Sequence, residues 1–264
     1  MIRKITVLLV CLLLFVSCGK EKTPLESGES TSAPPQSTAE PLLTVPVQTD
    51  PPVFSPSVVL KTETEQLGGA SYRTWRYPVV VAEGYVVRCE NINAAVFNAV
   101  TALGKKLIPG ISSLVASGSE VSCETERCDY RLLGDNAILS VSFYLTARVD
   151  SNAPEHAFGT ANIDLTTGMQ IGGAQLITDL SKLLNAIASG DLTRVDEGDV
   201  LTPEELSSAL SQYRADYAIY PDVYFAEEEV IVAVELLRTE GSYALFAIPY
   251  AKASDYIASE FLVH

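Results

Sequence analysis

The chain has 264 residues, 47% of them hydrophobic, with 33 acidic against 18 basic side chains and a formal charge of −15. The apolar content is ample for a real core. So acidic a chain excludes nucleic-acid binding by phosphate neutralisation, which needs a basic face, and anionic lipid headgroups repel it. A cationic partner is drawn towards it at low ionic strength.

Arg3 and Lys4 precede an apolar run from Ile5 to Val16 that ends in Ser17-Cys18. About twelve apolar residues fall short of the ~20 that a spanning helix needs, and cations ahead of a short apolar core mark a signal peptide. The ending Phe15-Val16-Ser17-Cys18 resembles the lipobox of bacterial lipoproteins, with Phe where that pattern prefers Leu. The resemblance implies that residues 1–17 are removed and that Cys18 is lipidated. The protein would then be lipid-anchored on the extracytoplasmic face of the bacterial cell membrane. Removal of the signal leaves 16 cations against 33 acids, a charge of −17. Residues 18–57 are dominated by Ser, Thr, Pro and Glu, cannot bury enough surface to fold, and read as a semi-flexible stalk.

Beyond Cys11 and Cys18, three cysteines remain: Cys89, Cys123 and Cys128. On a continuous strand the five-residue spacing of Cys123 and Cys128 puts them on opposite faces, so one bridge, from Cys89 to either of them, is expected. Three buried free thiols are the alternative. No C-x-x-C occurs and only His156 and His264 could assist, so a zinc site is not expected.

The folded region divides into two similar halves, 58–165 and 166–264. Residues 58–67 and 72–82 read as strands, with Pro78 requiring an edge or a bulge. Ile92, Ala95, Val96, Ala99, Val100, Leu103 and Leu107 fall at helical spacing over 91–107. Asn91 or Asn93 can cap that helix, and Gly104 or Pro109-Gly110 can stop it. A hairpin spans 120–149 around Gly134-Asp135-Asn136, its second arm alternating as a half-buried strand.

In the second half, 158–171 reads as a strand and a Thr-Gly turn. Leu180, Leu183, Leu184 and Ile187 mark a helix begun by Thr178 or Asp179 and closed by Gly190. Asp191, Asp196, Glu197 and Asp199 lack the spacing of an EF-hand and read as a solvated loop. Thr202-Pro203-Glu204-Glu205 starts a second helix, which Leu206, Leu210, Tyr213 and Tyr217 continue. Strands at 222–225, 230–237 and 243–249 and a short helix at 251–258 follow. The fold class is α+β, antiparallel sheets with a few packed helices.

The Asp164-Leu165-x-x-Gly168 turn and the closing Gly241-x-Tyr243…Ile248-Pro249-Tyr250 are similar to the extracytoplasmic domain of RsiV-type anti-sigma factors and PdaC-type peptidoglycan deacetylases. The resemblance covers about residues 70–260. Where that family carries a Gly-Gly-Ala-His loop, this chain reads Ala153-Pro154-Glu155-His156. The resemblance implies a module without catalysis of its own that binds a cell-envelope ligand, either a lysozyme-like protein or peptidoglycan. His156, Tyr220 and Tyr224 are the candidate ligand-binding residues. The competing reading is a wall-acting enzyme using Glu155 and His156. A deep cleft converging on His156 with a second carboxylate favours the enzyme, and a broad exposed face favours binding. No cofactor motif occurs: the chain has no Gly-rich phosphate loop and no Ser-centred elbow.

Overall fold

A computed structural model describes residues 53–135, 137–196, 198, 200–236 and 243–262. The signal segment, Cys18 and the stalk up to residue 52 lie outside the described residues, as do Glu197, Asp199, the Gly241-Ser242 turn and His264.

The order begins earlier than composition suggests. Phe54, assigned above to the stalk, packs edge-on against Tyr85 with ring centroids 5.1 Å apart, and the Arg88 guanidinium lies 3.7 Å from its centroid. One aromatic anchor thus ties down a Pro- and Ser-rich stretch that has no apolar period of its own.

β1 (Ser57–Gly68) and β2 (Ser71–Val81) form an antiparallel hairpin. The chain then leaves the sheet through α1 (Val86–Leu107) and α2 (Ile111–Ala116), and β3 (Val121–Leu133) returns beside β2. This pairing is parallel and covers only Tyr72–Thr74 against Ser122–Glu124. A wholly antiparallel reading fails at this junction, because a helical crossover delivers the next strand in the same direction. β4 (Ile138–Val149) and β5 (Glu155–Asp164) add antiparallel, giving the order β1-β2-β3-β4-β5. In the β3–β4 turn, Gly134 and Asp135 take φ of 55° and 51°, as the hairpin chemistry demands.

Past Thr74, β2 has a strand on one side only, and Pro78 sits there opposite Leu60. Asn93 of α1 covers the open side. It accepts from the Val80 N–H at 2.7 Å and donates to the Val80 carbonyl at 3.0 Å. Asn93 is therefore a strand partner and not the helix cap, and α1 begins at Val86, ahead of the expected start. Val86 and Val87 are 65% and 70% exposed, so the first turn adds nothing to the apolar stripe that marks the rest. Nor does Gly104 stop the helix. It makes room for the Trp75 ring, which a Cβ there would strike.

β3 carries a bulge between Thr125 and Arg127 that shifts its alternation by one residue. Cys123 and Cys128 consequently enter the same core, 1% and 6% exposed, despite their odd spacing. The expected bridge to Cys89 is not formed; all three thiols are free and buried. Burial pushes the Cys123 and Cys128 thiols up to about 12, which keeps them protonated and unreactive.

The second half supplies α3 (Gly173–Leu176), α4 (Leu180–Ser189), β6 (Thr193–Arg194) and α5 (Pro203–Leu210). β7 (Asp222–Phe225), β8 (Glu229–Glu235), β9 (Tyr243–Pro249) and α6 (Tyr250–Ala253) complete it. Asp179 caps α4, Gly190 ends it in a left-handed conformation, and the Thr202–Glu205 capping box starts α5. The second sheet runs β6-β9-β8-β7, all antiparallel. The α+β class holds.

The first sheet packs one face on α1, around Ile92, Val96, Val100 and Phe143. Its other face meets the second sheet, whose far side the later helices cover around Leu183, Ile187, Phe225 and Ile248. Ser140 and Ser142 are fully buried, so β4 is covered on both faces and not half-buried. Two buried hydrogen bonds join the sheets. The Phe225 N–H donates to Ser140 Oγ at 3.1 Å, and Asn162 Nδ2 donates to the Val223 carbonyl at 2.8 Å.

The Gly104 contact yields the first prediction. Gly104→Ala should destabilise by about 1–3 kcal/mol through overpacking, although alanine is the better helix former by ~1 kcal/mol. Urea unfolding of wild type and variant measures it; an Ala variant that is more stable refutes the packing role.

Candidate functional site

β5 is the last strand of its sheet, and its register with β4 is unbroken from Asp164–Ile138 to Glu155–Ala147. Its odd-numbered residues bond to β4, and its even-numbered residues turn their backbone N–H and C=O outward. At one end this outer edge is closed by the chain itself. Ile171 donates to the Asn162 carbonyl at 2.7 Å, and Asp164 donates to that of Met169 at 2.9 Å. From His156 to Thr160 the edge is open. Among the described residues no protein group meets the outward N–H and C=O of His156, Phe158 and Thr160.

Beside this open edge lies a cleft of about 810 Å³. One wall is α1, with Asn98, Ala99, Ala102, Leu103 and Lys106; the other is the second sheet, with Asp222, Ala233, Glu235 and Tyr243. Gln170 and Tyr220 lie towards the closed end of β5. Gly159 lets α1 approach, since a Cβ there would press on Leu103 at 2.9 Å. Lys106 reaches across from α1 to pair with the Glu235 carboxylate. Tyr213 and Gln212 hold that end of β8: the Glu235 N–H donates to the Tyr213 hydroxyl at 2.8 Å, and Gln212 Nε2 donates to the Glu235 carbonyl at 2.7 Å.

Asp222 opens β7 and faces the cleft, where Thr160 Oγ1 donates to its Oδ1 at 3.3 Å. Crowding by the cleft walls pushes its carboxyl up to about 6, with the Glu235 charge adding; the Thr160 hydroxyl and Lys106 oppose this. Asp222 is nonetheless exposed to solvent, so it is crowded by protein without being sealed from water.

Two of the three candidate ligand residues line this cleft, at opposite ends. His156 lies at the entry of β5, where its Nδ1 is 3.0 Å from Thr146 Oγ1, and that hydroxyl donates to Glu126 at 2.8 Å. With its one proton committed, Thr146 must accept from His156 Nδ1–H. Tyr220 lines the other end, packed on Gly173. Tyr224 lies elsewhere, in the small core between the sheets where the rings of Phe158, Tyr144 and Tyr243 meet. Glu155 and His156 are neighbours on a strand and face opposite sides. His156 and the Thr160–Asp222 contact are four strand residues apart, about 13 Å. The carboxylates do not converge on the imidazole.

The second helix does not run on through Tyr213 and Tyr217. α5 ends at Leu210, Tyr213 is buried beyond it, and Tyr217 is 65% exposed beneath the Arg214 guanidinium at 4.6 Å. The acidic loop is not wholly solvated either. Asp196 takes a two-pronged contact from Arg194 and accepts the Leu245 N–H at 2.7 Å and the Gly198 N–H at 3.1 Å. Burial raises its pKa, but those donors outweigh burial and hold it below the usual carboxylate range. Asp196 thus pins β6 to β9. Among the described residues no three His, Cys, Asp or Glu side chains are grouped to hold a metal ion.

No family model and no curated protein matches the chain. Solved structures do. A DUF3298-family protein of Bacteroides fragilis matches with a TM-score of 0.46 and 12% identity, over 78% of this chain and 94% of its own. A DUF3298-family protein of Pseudomonas aeruginosa matches with a TM-score of 0.42 and 7% identity, over 81% and 99% respectively.

Asp222 gives a prediction with a defined sign. Its folded-state pKa lies above the unfolded value, so the folded state binds more protons between about pH 4 and 6, and ionisation above that window costs stability. Asp222→Asn should stabilise by about 1 kcal/mol at pH 7.5, a value discounted for solvent access, and the gain should vanish below pH ~4. Urea unfolding at both pH values checks it.

Proposed function

We propose that the chain is a lipid-anchored, extracytoplasmic binding module for a cell-envelope ligand, a cationic lysozyme-like protein or peptidoglycan, and performs no catalysis of its own. The observation that carries this reading is the cleft beside β5. It is long, it is walled by Glu155, Asp222 and Glu235 against the single ammonium of Lys106, and a backbone edge forms its floor. Such a lining suits an occupant held by several separated contacts. The acidity of the whole chain would speed encounter with a basic protein, while affinity must come from packed contacts.

The wall-acting enzyme remains the second reading, because His156 and three carboxylates share the cleft and Asp222 is pushed to about 6. Its requirements are a base within hydrogen-bond reach of a reacting group and release of product from wall fragments.

Surface plasmon resonance on residues 53–264 tests the binding reading. Lysozyme should bind with an on-rate that falls with salt and an off-rate that salt changes little, and a basic protein of similar size and unrelated shape should bind much more weakly. Equal affinity for both proteins, vanishing at physiological salt, would leave only non-specific charge attraction. The anchor has its own test. Cys18→Ser should abolish metabolic fatty-acid labelling and move the protein out of the membrane fraction, and persistent labelling would refute it.

A further inference from the structure

We propose that the open edge of β5 is a strand-addition site, at which an extended, cationic peptide segment of a partner enters the cleft and pairs with the backbone of His156, Phe158 and Thr160. The inference rests on the binding reading and narrows it: the occupant is a polypeptide backbone, not a glycan.

The first support is that the edge already accepts a strand. Residues 169–171 pair with Asn162 and Asp164 by the same outward groups, and the pattern then stops, leaving the next outward residues with no partner among those described. An extended chain placed beyond Ile171 would continue the same line and bond the N–H and C=O of Thr160, Phe158 and His156 in turn. The second support is shape. The cleft lines all six residues from Glu155 to Thr160, about 20 Å of strand, and is bounded by α1 on one side and the second sheet on the other.

The third support fixes the occupant's chemistry. Side chains of an added strand alternate between the two walls. The α1 wall offers Ala99, Ala102 and Leu103, which suit small apolar side chains. The other wall offers Asp222 and Glu235, which suit Lys or Arg; Glu155 stands at the entry on the α1 side. Lys106 now occupies part of that wall through its ion pair with Glu235, a place an incoming ammonium can take. The expected segment alternates basic and small apolar residues over about six positions.

The test uses the full chain in detergent and a fluorescein-labelled peptide of four Lys-Val repeats, followed by anisotropy. Two further peptides carry backbone N-methyl groups on one alternate set of residues or on the other. Strand addition uses one set of amides only, so one methylated peptide should bind at least tenfold more weakly and the other should stay within about twofold of the parent. Hydrogen exchange at the amides of His156, Phe158 and Thr160 should slow when the parent peptide binds. Thr160→Pro removes an outward N–H at an edge position where proline is tolerated, and should weaken binding at least tenfold. The methylated pair needs no variant and decides the matter if Thr160→Pro fails to fold. Equal binding of the two methylated peptides, or unchanged exchange at the three amides, overturns the proposal. Lysozyme binding that survives when no peptide binds overturns strand addition alone and leaves the binding reading standing. Peptide binding with the expected asymmetry supports strand addition even if lysozyme does not bind.

Discussion

The arrangement of this domain depends on how one short strand meets the face of another sheet. β7 is only four residues long, and its outer edge would be an exposed row of backbone groups if it stood alone. Ser140 and Asn162, side chains of the first sheet, supply partners for that edge at Phe225 and Val223. All the groups involved are buried, so losing either bond leaves a polar group orphaned at a cost of about 1–3 kcal/mol. Asn162 Oδ1 and Ser142 Oγ, buried in the same seam, have no partner among the described residues. With β7 fixed there, Asp222 is brought to Thr160 and the second sheet becomes a wall of the cleft.

Local chemistry made much of the fold legible. The Asp179 cap with Gly190, the Thr202 capping box and the Gly134-Asp135 turn each fix a boundary through neighbours in sequence, and each is found where it was read. The errors came where a distant group decides the outcome. Asn93 looks like a cap until Val80 arrives, and Gly104 looks like a stop until Trp75 needs its space. The cysteine reading failed on one inserted residue: alternation is reliable only while no bulge interrupts it, and nothing in EVSCETERCDY announces one.

The cleft was partly legible for the same reason. His156 and Tyr220 stood out as chemistry-bearing side chains, and both line it. Asp222, Glu235 and Lys106 did not stand out, because they lie on three elements far apart in the chain and only the packing of α1 and β8 on β5 assembles them. The open edge itself leaves no mark in composition at all. It follows from strand order, which the hydrophobic pattern of β5 does not encode.

The short parallel junction between β2 and β3 also has a mechanical consequence. Tension that enters the domain at Ser57 and leaves through β5 must cross the sheet strand by strand. The β1–β2 and β3–β4 hairpins share that load over eleven and twelve paired positions, respectively, whereas β2 and β3 share it over three. What reinforces the weak seam is α1, which packs across it and holds Val80 through Asn93. Under a steady pull, the domain should therefore yield as two blocks, with the β1–β2 hairpin parting from the rest, and the helix setting the force at which it does so.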